Sequence, residues 1–432
     1  MKRILLVALI YSSSIAVIAN KDGETRTATV KVNVSSTDKL NIQAKYTELT
    51  IESWDKNEVE IEASVRFDGK ITSKIQEFLD EFEERVNNNI DKNANELMID
   101  TDLDLPNKIQ IGSKSVGIIM SYGDDVFKVS YKIKAPSKNP YTITSSYEEV
   151  RMIGSFDQVT LSQYSGEFEA EYIKKADMNL KYGSAQVNEI GTAKFEIYEQ
   201  ELDINSIASM ELNAKYSELE FEKSGTIEVT AYESDFIFNT IESLNGNFKY
   251  GNIEINNGIN NGEFEFYEVD MEVEQGGDLV FSNSKYSKVI AEKIQKIEFG
   301  QSYEDETEID ELGSFRSTDS KYGKHRIGIL NGDLELDAYE DELTIAKIGT
   351  ASQLIQIDGK YIDASLGISN SSFNLQSNVK YGKVDYDEGR VEVKRYIKDS
   401  DQLELEIQSK SDESVKPTEI RVNGYEIKIE LK

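Results

Sequence analysis

His325 is the only histidine among 432 residues, so a catalytic triad that uses an imidazole could be built only around it. It follows Tyr322-Gly323 in a repeated strand motif and is flanked by Lys324 and Arg326. A solvent-facing position on a strand accounts for this setting better than general-base duty does. We therefore predict that His325 lies on a strand surface and that no catalytic residue is encoded here.

Carboxylates are the other candidate chemistry, with 80 acidic residues against 48 basic ones and a formal net charge of -32. A glycosidase or lyase mechanism needs little more than a carboxylate pair. The acids are spread evenly, however, and Glu-x-Glu patterns are what outward strand faces produce. The strong acidity also disfavours nucleic acid and anionic membranes, since phosphate binding requires a basic surface. A polysaccharide-active lyase or hydrolase on a β-helix stays open as the alternative.

Metal and cofactor sites are not predicted. Asp100–Asp104 begins like a calcium loop, but Leu105 stands where an EF-hand requires glycine and Ile111 where it requires glutamate. The chain has no cysteine, which removes disulfides, thiolate zinc sites and a cysteine nucleophile. We expect no cofactor and no metal.

The first residues are typical of export. Met1-Lys2-Arg3 precedes an apolar run from Ile4 to Ala19, and this pattern predicts a signal peptide over residues 1–19 with cleavage before Asn20. The run is short for a membrane span. We expect an exported protein in a periplasm, on the outer cell surface or outside the cell, with no transmembrane segment after cleavage.

The elements that would position any site are organised by tyrosines that recur about every 17 residues. The series is Tyr147, Tyr164, Tyr182, Tyr198, Tyr216, Tyr232, Tyr250, Tyr267, Tyr286, Tyr303, Tyr322, Tyr339, Tyr361 and Tyr381. Two motifs alternate within it, Lys-Tyr-Gly/Ser at Tyr182, Tyr216, Tyr250, Tyr286 and Tyr322, and Tyr-Glu at Tyr198, Tyr232, Tyr267, Tyr303 and Tyr339. A fixed period indicates stacked repeats. We predict an all-β fold, a parallel β-helix or β-solenoid with repeating rungs of about 17 residues.

Each repeat reads as a bent strand, because apolar residues change parity at Ser217, Gly183 and Gly251. The two motifs bend differently, so one coil contains about 17 or about 35 residues. In a coil of 35 residues, Lys-Tyr bends stack on Lys-Tyr bends and Tyr-Glu bends on Tyr-Glu bends. This brings like charges together, at a cost of about 1 kcal/mol or less for each pair. In a coil of 17 residues, unlike bends would stack and misalign apolar side chains, at a cost of about 1.5–3 kcal/mol for each one left unburied. The comparison favours the 35-residue coil. Parity places most Lys-Tyr tyrosines inside; exposed ones would form a sugar-stacking strip.

The predicted domains follow from this pattern. Residues 20–140 form an N-terminal β-rich region with an amphipathic helix at 73–87, capped by Thr72 or Ser73, whose apolar stripe covers the first sheet. Residues 141–390 are the β-solenoid repeats. Residues 391–432 supply capping strands, since a solenoid needs its open end covered.

Four features resemble one known family: the signal peptide, the stretch from Leu49 to Val59, the helix after Phe67-Asp68-Gly69, and the strand Val129–Pro136 leading into rungs. The chain resembles exported bacterial β-solenoid proteins of a "putative adhesin" family, a domain of unknown function common in Bacteroidetes. The resemblance implies a β-solenoid and carries over no functional residue.

Together these points predict a non-enzymatic exported β-solenoid scaffold with adhesin-like binding at the cell surface or in the envelope. Its partner is an unknown surface glycan or protein. An envelope regulatory protein with a solenoid sensor is a third possibility.

Overall fold

The computed structural model describes residues 16–20, 23–69, 71–106, 126–368, 372–410 and 416–432. Residues 1–15 of the predicted signal peptide lie outside these ranges. The chain divides into two compact units, residues 1–210 and 211–432, which are described separately. Among the described residues, no helix is long and apolar enough to cross a membrane.

The first unit is built from strands and two short helices. Its strands are β1 (Ala16–Asn20), β2 (Gly23–Asn33), β3 (Lys39–Lys45), β4 (Glu48–Trp54), β5 (Glu58–Asp68), β6 (Ile90–Lys92), β7 (Glu96–Asp100), β8 (Val126–Pro136), β9 (Pro140–Ser146), β10 (Val150–Phe156), β11 (Gln158–Tyr164) and β12 (Glu167–Lys215). β12 is long because extended backbone continues through its bends.

The predicted helix is present but forms two segments, α1 (Ser73–Asp80) and α2 (Phe82–Asn88), which meet at Glu81. The Thr72 side chain accepts a hydrogen bond from the backbone N–H of Ile75, as expected of a cap. The apolar stripe is buried, and the ring of Phe78 contacts that of Phe127 in β8 at 5.6 Å between centroids. The helices therefore cover the antiparallel β2–β5–β8 sheet, as the pattern predicts.

The bend at Tyr46 lies about 100 residues ahead of the bend at Tyr147 in sequence, but the two are neighbours in space. β3 pairs in parallel with β9, with Leu40 opposite Tyr141, and β4 pairs in parallel with β10, with Leu49 opposite Val150. The bend at Tyr46 thus stacks directly on the bend at Tyr147. The chain between them supplies the antiparallel sheet and the helices.

The second unit contains the remaining strands. They are β13 (Glu218–Tyr232), β14 (Asp235–Lys285), β15 (Lys288–Tyr303), β16 (Glu306–Lys321), β17 (Lys324–Leu330), β18 (Leu334–Tyr339), β19 (Glu342–Ile348), β20 (Leu354–Lys360), β21 (Asp363–Leu366), β22 (Phe373–Lys380), β23 (Lys383–Asp385), β24 (Val391–Asp399), β25 (Gln402–Ser409), β26 (Thr418–Tyr425) and β27 (Lys428–Leu431).

Parallel partners in this unit lie one sequence repeat apart. Glu218 pairs with Asp235, 17 residues on, and Lys288 pairs with Glu306, 18 residues on. The preference for a 35-residue coil is therefore wrong, and the two motifs stack directly on each other. Unlike bends fit together because both motifs place a left-handed residue at the same point of the ladder, as described below. We call each such repeat a rung.

The last rungs are out of sequence order. β26 pairs in parallel with β20 on one side and β22 on the other, so residues 418–425 lie between two earlier strands. β22 then pairs with β25, and β25 with β24, both antiparallel. Within the segment predicted to cap the repeats, β24 and β25 occupy the outer positions and β26 an inner one.

The core of the second unit is filled by apolar side chains from alternate positions. Phe281 is fully buried, and its ring lies 4.9 Å from that of Phe299 and 5.2 Å from that of Phe264, between centroids. Aromatic rings from successive rungs therefore pack against one another in the interior.

Candidate functional site

Every tyrosine bend turns on one residue with positive φ. In the Lys-Tyr motif this residue is the tyrosine, as in Tyr216 at φ 55° and Tyr286 at φ 56°. In the Tyr-Glu motif it is the glutamate, as in Glu233 at φ 46°. Residues other than glycine enter this left-handed region at a cost of about 1–2 kcal/mol. The bend was predicted one residue later, at Ser217 and its equivalents, and that prediction is wrong.

Hydrogen bonds between rungs hold the left-handed residue in place. The Tyr216 N–H donates to the Tyr232 carbonyl at 3.0 Å, and the Glu233 N–H donates to the Lys249 carbonyl at 2.8 Å. In successive rungs the left-handed position therefore alternates between tyrosine and glutamate. The position before it alternates between lysine and tyrosine.

Glycine after the bend serves a close approach between rungs. A Cβ on Gly251 would lie 2.2 Å from the Ser234 carbonyl oxygen, inside any tolerable contact. Its φ lies outside the left-handed region, so glycine is needed here for the close approach and not for its backbone conformation.

The tyrosines of the second unit form a continuous ladder on the surface, called the tyrosine ladder below. Five of its rings are exposed, and the other six are half-buried, namely Tyr232, Tyr250, Tyr267, Tyr303, Tyr339 and Tyr425. Neighbouring ring centroids are 5.4–5.8 Å apart and the ring planes meet at 74–82°, in the order Tyr216, Tyr232, Tyr250, Tyr267, Tyr286, Tyr303, Tyr322, Tyr339, Tyr361, Tyr425 and Tyr381. Tyr286 is 44% exposed and Tyr381 is 57% exposed. The prediction that parity places the Lys-Tyr tyrosines in the core is wrong, because the left-handed residue turns the ring outward.

The first unit shows why the rings meet edge to face. Tyr46 and Tyr147 both occupy the left-handed position, and their rings stack in parallel at 8° and 4.9 Å. Tyr164 occupies the preceding position, and its ring meets that of Tyr147 at 74°. Alternation between the two positions therefore produces the edge-to-face geometry that aromatic quadrupoles favour.

Glutamates beside the ladder interact with its hydroxyl groups. A hydrogen bond from the Tyr232 hydroxyl to the Glu233 carboxylate, together with the charge of that carboxylate, raises the pKa of Tyr232. Glu304 and Glu340 raise the pKa values of Tyr303 and Tyr339 in the same way. These three phenols therefore stay neutral at physiological pH, and each donates a hydrogen bond to the carboxylate of the residue that follows it.

An open groove of about 560 Å³ lies against the ladder, called the acidic groove below. It is lined by Glu233, Asp235, Tyr250, Gly251, Asn252, Glu268, Asp270 and Tyr286. Among the described lining residues, none is lysine, arginine or histidine. The groove therefore offers phenol rings and carboxylates to a ligand, and no positive side chain.

A second open groove, of about 700 Å³, is lined mainly by amide side chains and glycines of β13, β14 and β15. Its charged lining residues are Lys223, Glu242, Asp278 and Lys293. It contains no aromatic side chain among its described lining residues. This groove mixes both charges and lacks a stacking surface.

His325 lies in the interior, so its predicted surface position is wrong. Its side chain and that of Asp341 are fully buried, with His325 Nε2 3.5 Å from Asp341 Oδ2. Ser320 Oγ donates to the same carboxylate oxygen, and the Gly323 N–H donates to Oδ1 at 3.0 Å. A substrate cannot reach this sealed cluster. The carboxylate satisfies the backbone N–H of Gly323, and His325 Nδ1 lies 3.3 Å from Thr307 Oγ1.

No protein-family model matches the chain, and no curated protein matches it. Among solved structures, a "putative cell adhesion protein" from Clostridium sporogenes is 11% identical, covering 94% of this chain and 100% of its own, with a TM-score of 0.17. A "putative lipid binding protein" from Parabacteroides distasonis is 13% identical, covering 71% of this chain and 97% of its own, with a TM-score of 0.25. At these values neither likeness establishes a shared fold. The interpretation of the site depends on its own geometry.

Proposed function

We propose that this chain is an exported, non-enzymatic β-solenoid that binds a glycan at the cell surface or in the envelope, in the manner of an adhesin. Residues 1–19 would be its signal peptide and residues 141–390 its solenoid repeats. The register of 17 or 18 residues between parallel rungs supports the solenoid. The expected partner is a surface glycan rather than nucleic acid, given the net charge of -32.

The exposed tyrosine ladder is the observation that carries the proposal. Large aromatic side chains are usually buried, and a continuous row of them at the surface, exposed or half-buried, marks an interaction surface. Phenol rings bind the apolar faces of pyranose rings and keep a hydroxyl for hydrogen bonding. Because the rings lock edge to face on a hydrogen-bonded scaffold, a ligand would lose little by ordering them.

A glycan screen on the mature protein tests this proposal, with extracellular-matrix proteins as a second panel. We expect saturable binding to glycans that is weakened when Tyr250 and Tyr286 are both changed to alanine. The matched control changes Tyr396→Ala, an exposed tyrosine of β24 that lies outside the ladder. Absence of saturable binding to every glycan would refute the proposal.

The alternative, a polysaccharide-active lyase or hydrolase, has one supporting observation in the second groove. Glu242 and Asp278 lie there with Lys223 and Lys293, and a carboxylate pair is the minimum for glycoside cleavage. Release of reducing ends from polysaccharides that is abolished by Glu242→Gln or Asp278→Asn would favour the enzyme over the scaffold.

A further inference from the structure

The carboxylates of the acidic groove repeat with a period of two rungs. Glu233 and Asp235 belong to one rung, Glu268 and Asp270 to the rung after next, and Asn252 to the rung between them. Asp235 Oδ1 accepts hydrogen bonds from both the backbone N–H and the side-chain amide of Asn252, each at 2.8 Å. The groove therefore presents two carboxylate pairs at a fixed separation.

That separation follows from β-sheet geometry. Neighbouring rungs lie about 4.7–4.9 Å apart, so the two carboxylate pairs are about 9.5 Å apart along the stack. In an extended β-1,4-linked glycan, one sugar has about the length of one rung spacing. Each sugar is turned over relative to the next, so a substituent on one edge recurs at every second sugar. The carboxylate pairs of the groove thus recur every two rungs, and the substituents on one edge of such a glycan recur every two sugars, at a similar distance.

The negative charge of the groove favours a glycan whose repeating substituent is positively charged. Four carboxylates line the groove, without a lysine, arginine or histidine among the described lining residues. Their like charges repel one another, and a ligand that brings positive charge relieves the repulsion. Tyr250 and Tyr286 supply the rings against which sugar faces and ammonium groups both pack favourably.

We propose that the acidic groove binds a β-1,4-linked glycan bearing free amines, a glucosamine polymer, laid along the stack of rungs. Amines on one edge contact the pair Glu233 and Asp235 and the pair Glu268 and Asp270, and the sugars between them pack on Tyr250. This inference rests on the proposed function, since it names the glycan class that the same surface takes.

Lysine-rich peptides are the competing cationic ligand. In an extended strand, same-face side chains recur at about 6.4–6.8 Å, which does not match the groove. In a polyproline II helix, same-face side chains recur every third residue, at about 9.3 Å, and this distance matches the separation of the carboxylate pairs. A peptide with lysine at every third position in a proline-rich frame is therefore the informative comparison.

The experiment is calorimetric titration of the full mature chain with β-1,4-linked glucosamine oligomers, at a pH where their amines are protonated. The matched oligomers are the N-acetylated form and the plain glucose form, alongside the lysine peptide. The groove variant carries Glu233→Gln and Glu268→Gln. Its control carries Glu304→Gln and Glu340→Gln, which occupy the same left-handed position outside the groove.

We expect the glucosamine oligomer to bind at least tenfold more tightly than the N-acetylated one and to weaken as salt is raised. The groove variant should lose most of that preference, whereas the control variant should keep it. Equal binding of the two oligomers, equal loss in both variants, or tighter binding of the lysine peptide would each overturn the inference. If neutral glycans bind and the groove variant is unaffected, the proposed function stands alone. If no glycan binds, both fail.

Discussion

The outward position of the tyrosines predicts a graded response to truncation, which we develop for Tyr286. Its ring makes edge-to-face contacts with Tyr267 at 5.8 Å and Tyr303 at 5.4 Å. Each such pair contributes about 0.5–1.5 kcal/mol beyond area burial. Tyr286→Ala should therefore lower the local stability by about 1–3 kcal/mol.

Two comparisons sharpen this prediction. Tyr381 ends the ladder with one ring contact, to Tyr425 at 5.5 Å, so Tyr381→Ala should cost about half as much, about 0.5–1.5 kcal/mol. Phe281 is fully buried, and Phe281→Ala should cost about 3–5 kcal/mol because a cavity is left behind. The expected order of cost is Phe281, then Tyr286, then Tyr381.

The left-handed backbone adds an internal control. Tyr286 has φ 56°, so Tyr286→Gly removes the same ring as Tyr286→Ala while relieving the strain of a Cβ in this region. The glycine variant should be more stable than the alanine variant by about 1 kcal/mol.

Native-state hydrogen exchange is the suitable assay, because long repeat arrays depart from two-state unfolding and local opening free energies are measured directly. The reporter is the Tyr286 N–H, which donates to the Tyr303 carbonyl at 2.9 Å. If Tyr286→Ala costs as much as Phe281→Ala, the ring belongs to the core and the reasoning about the ladder fails.

Three further outcomes are expected. Burial raises the pKa of Asp305 above its ordinary 3.8 despite hydrogen bonds such as that from Ser302, so stability should fall as pH rises from about 4 through the raised value. Asp305→Asn should flatten the plot of denaturation midpoint against pH in this range, and an unchanged slope would contradict the prediction. Burial raises the pKa values of Tyr131 and Tyr141, so an alkaline absorbance titration should show late-ionising phenols, and Tyr131→Phe should have one fewer of them than the wild type. An unchanged late phase would contradict this. A Cβ on Gly313 would lie 2.0 Å from the Gln295 carbonyl oxygen, so Gly313→Ala should lower the thermal midpoint, and an unchanged midpoint would show that the rungs can separate.

The local pattern was sufficient for several parts of the fold. The all-β composition, the 17-residue repeat and the Thr72-capped amphipathic segment at residues 73–87 follow from side-chain periodicity, and periodicity is a property of neighbouring residues. The break at Glu81 was not foreseeable from spacing, since the apolar stripe continues across it.

The candidate site was less accessible to sequence reasoning. The alternation of Lys-Tyr and Tyr-Glu motifs was visible, but parity assumes that each strand continues straight through its tyrosine. One left-handed residue, as at Tyr216, breaks that assumption and reverses which side chains face solvent. His325 was misplaced for a different reason, because its polar type was weighed above its position. It lies three residues after Tyr322, where the equivalent residue after Tyr216 is the buried Leu219.

The sequence by itself determined that this chain forms bent strands with a fixed period and an acidic surface, because alternation and charge are written residue by residue. Only the tertiary structure decided which rungs stack, with Tyr46 beside Tyr147 and β26 between β20 and β22. Stacking depends on burial summed over many rungs and on hydrogen bonds between residues distant in sequence. The tyrosine ladder and the two carboxylate pairs exist only once those rungs are aligned.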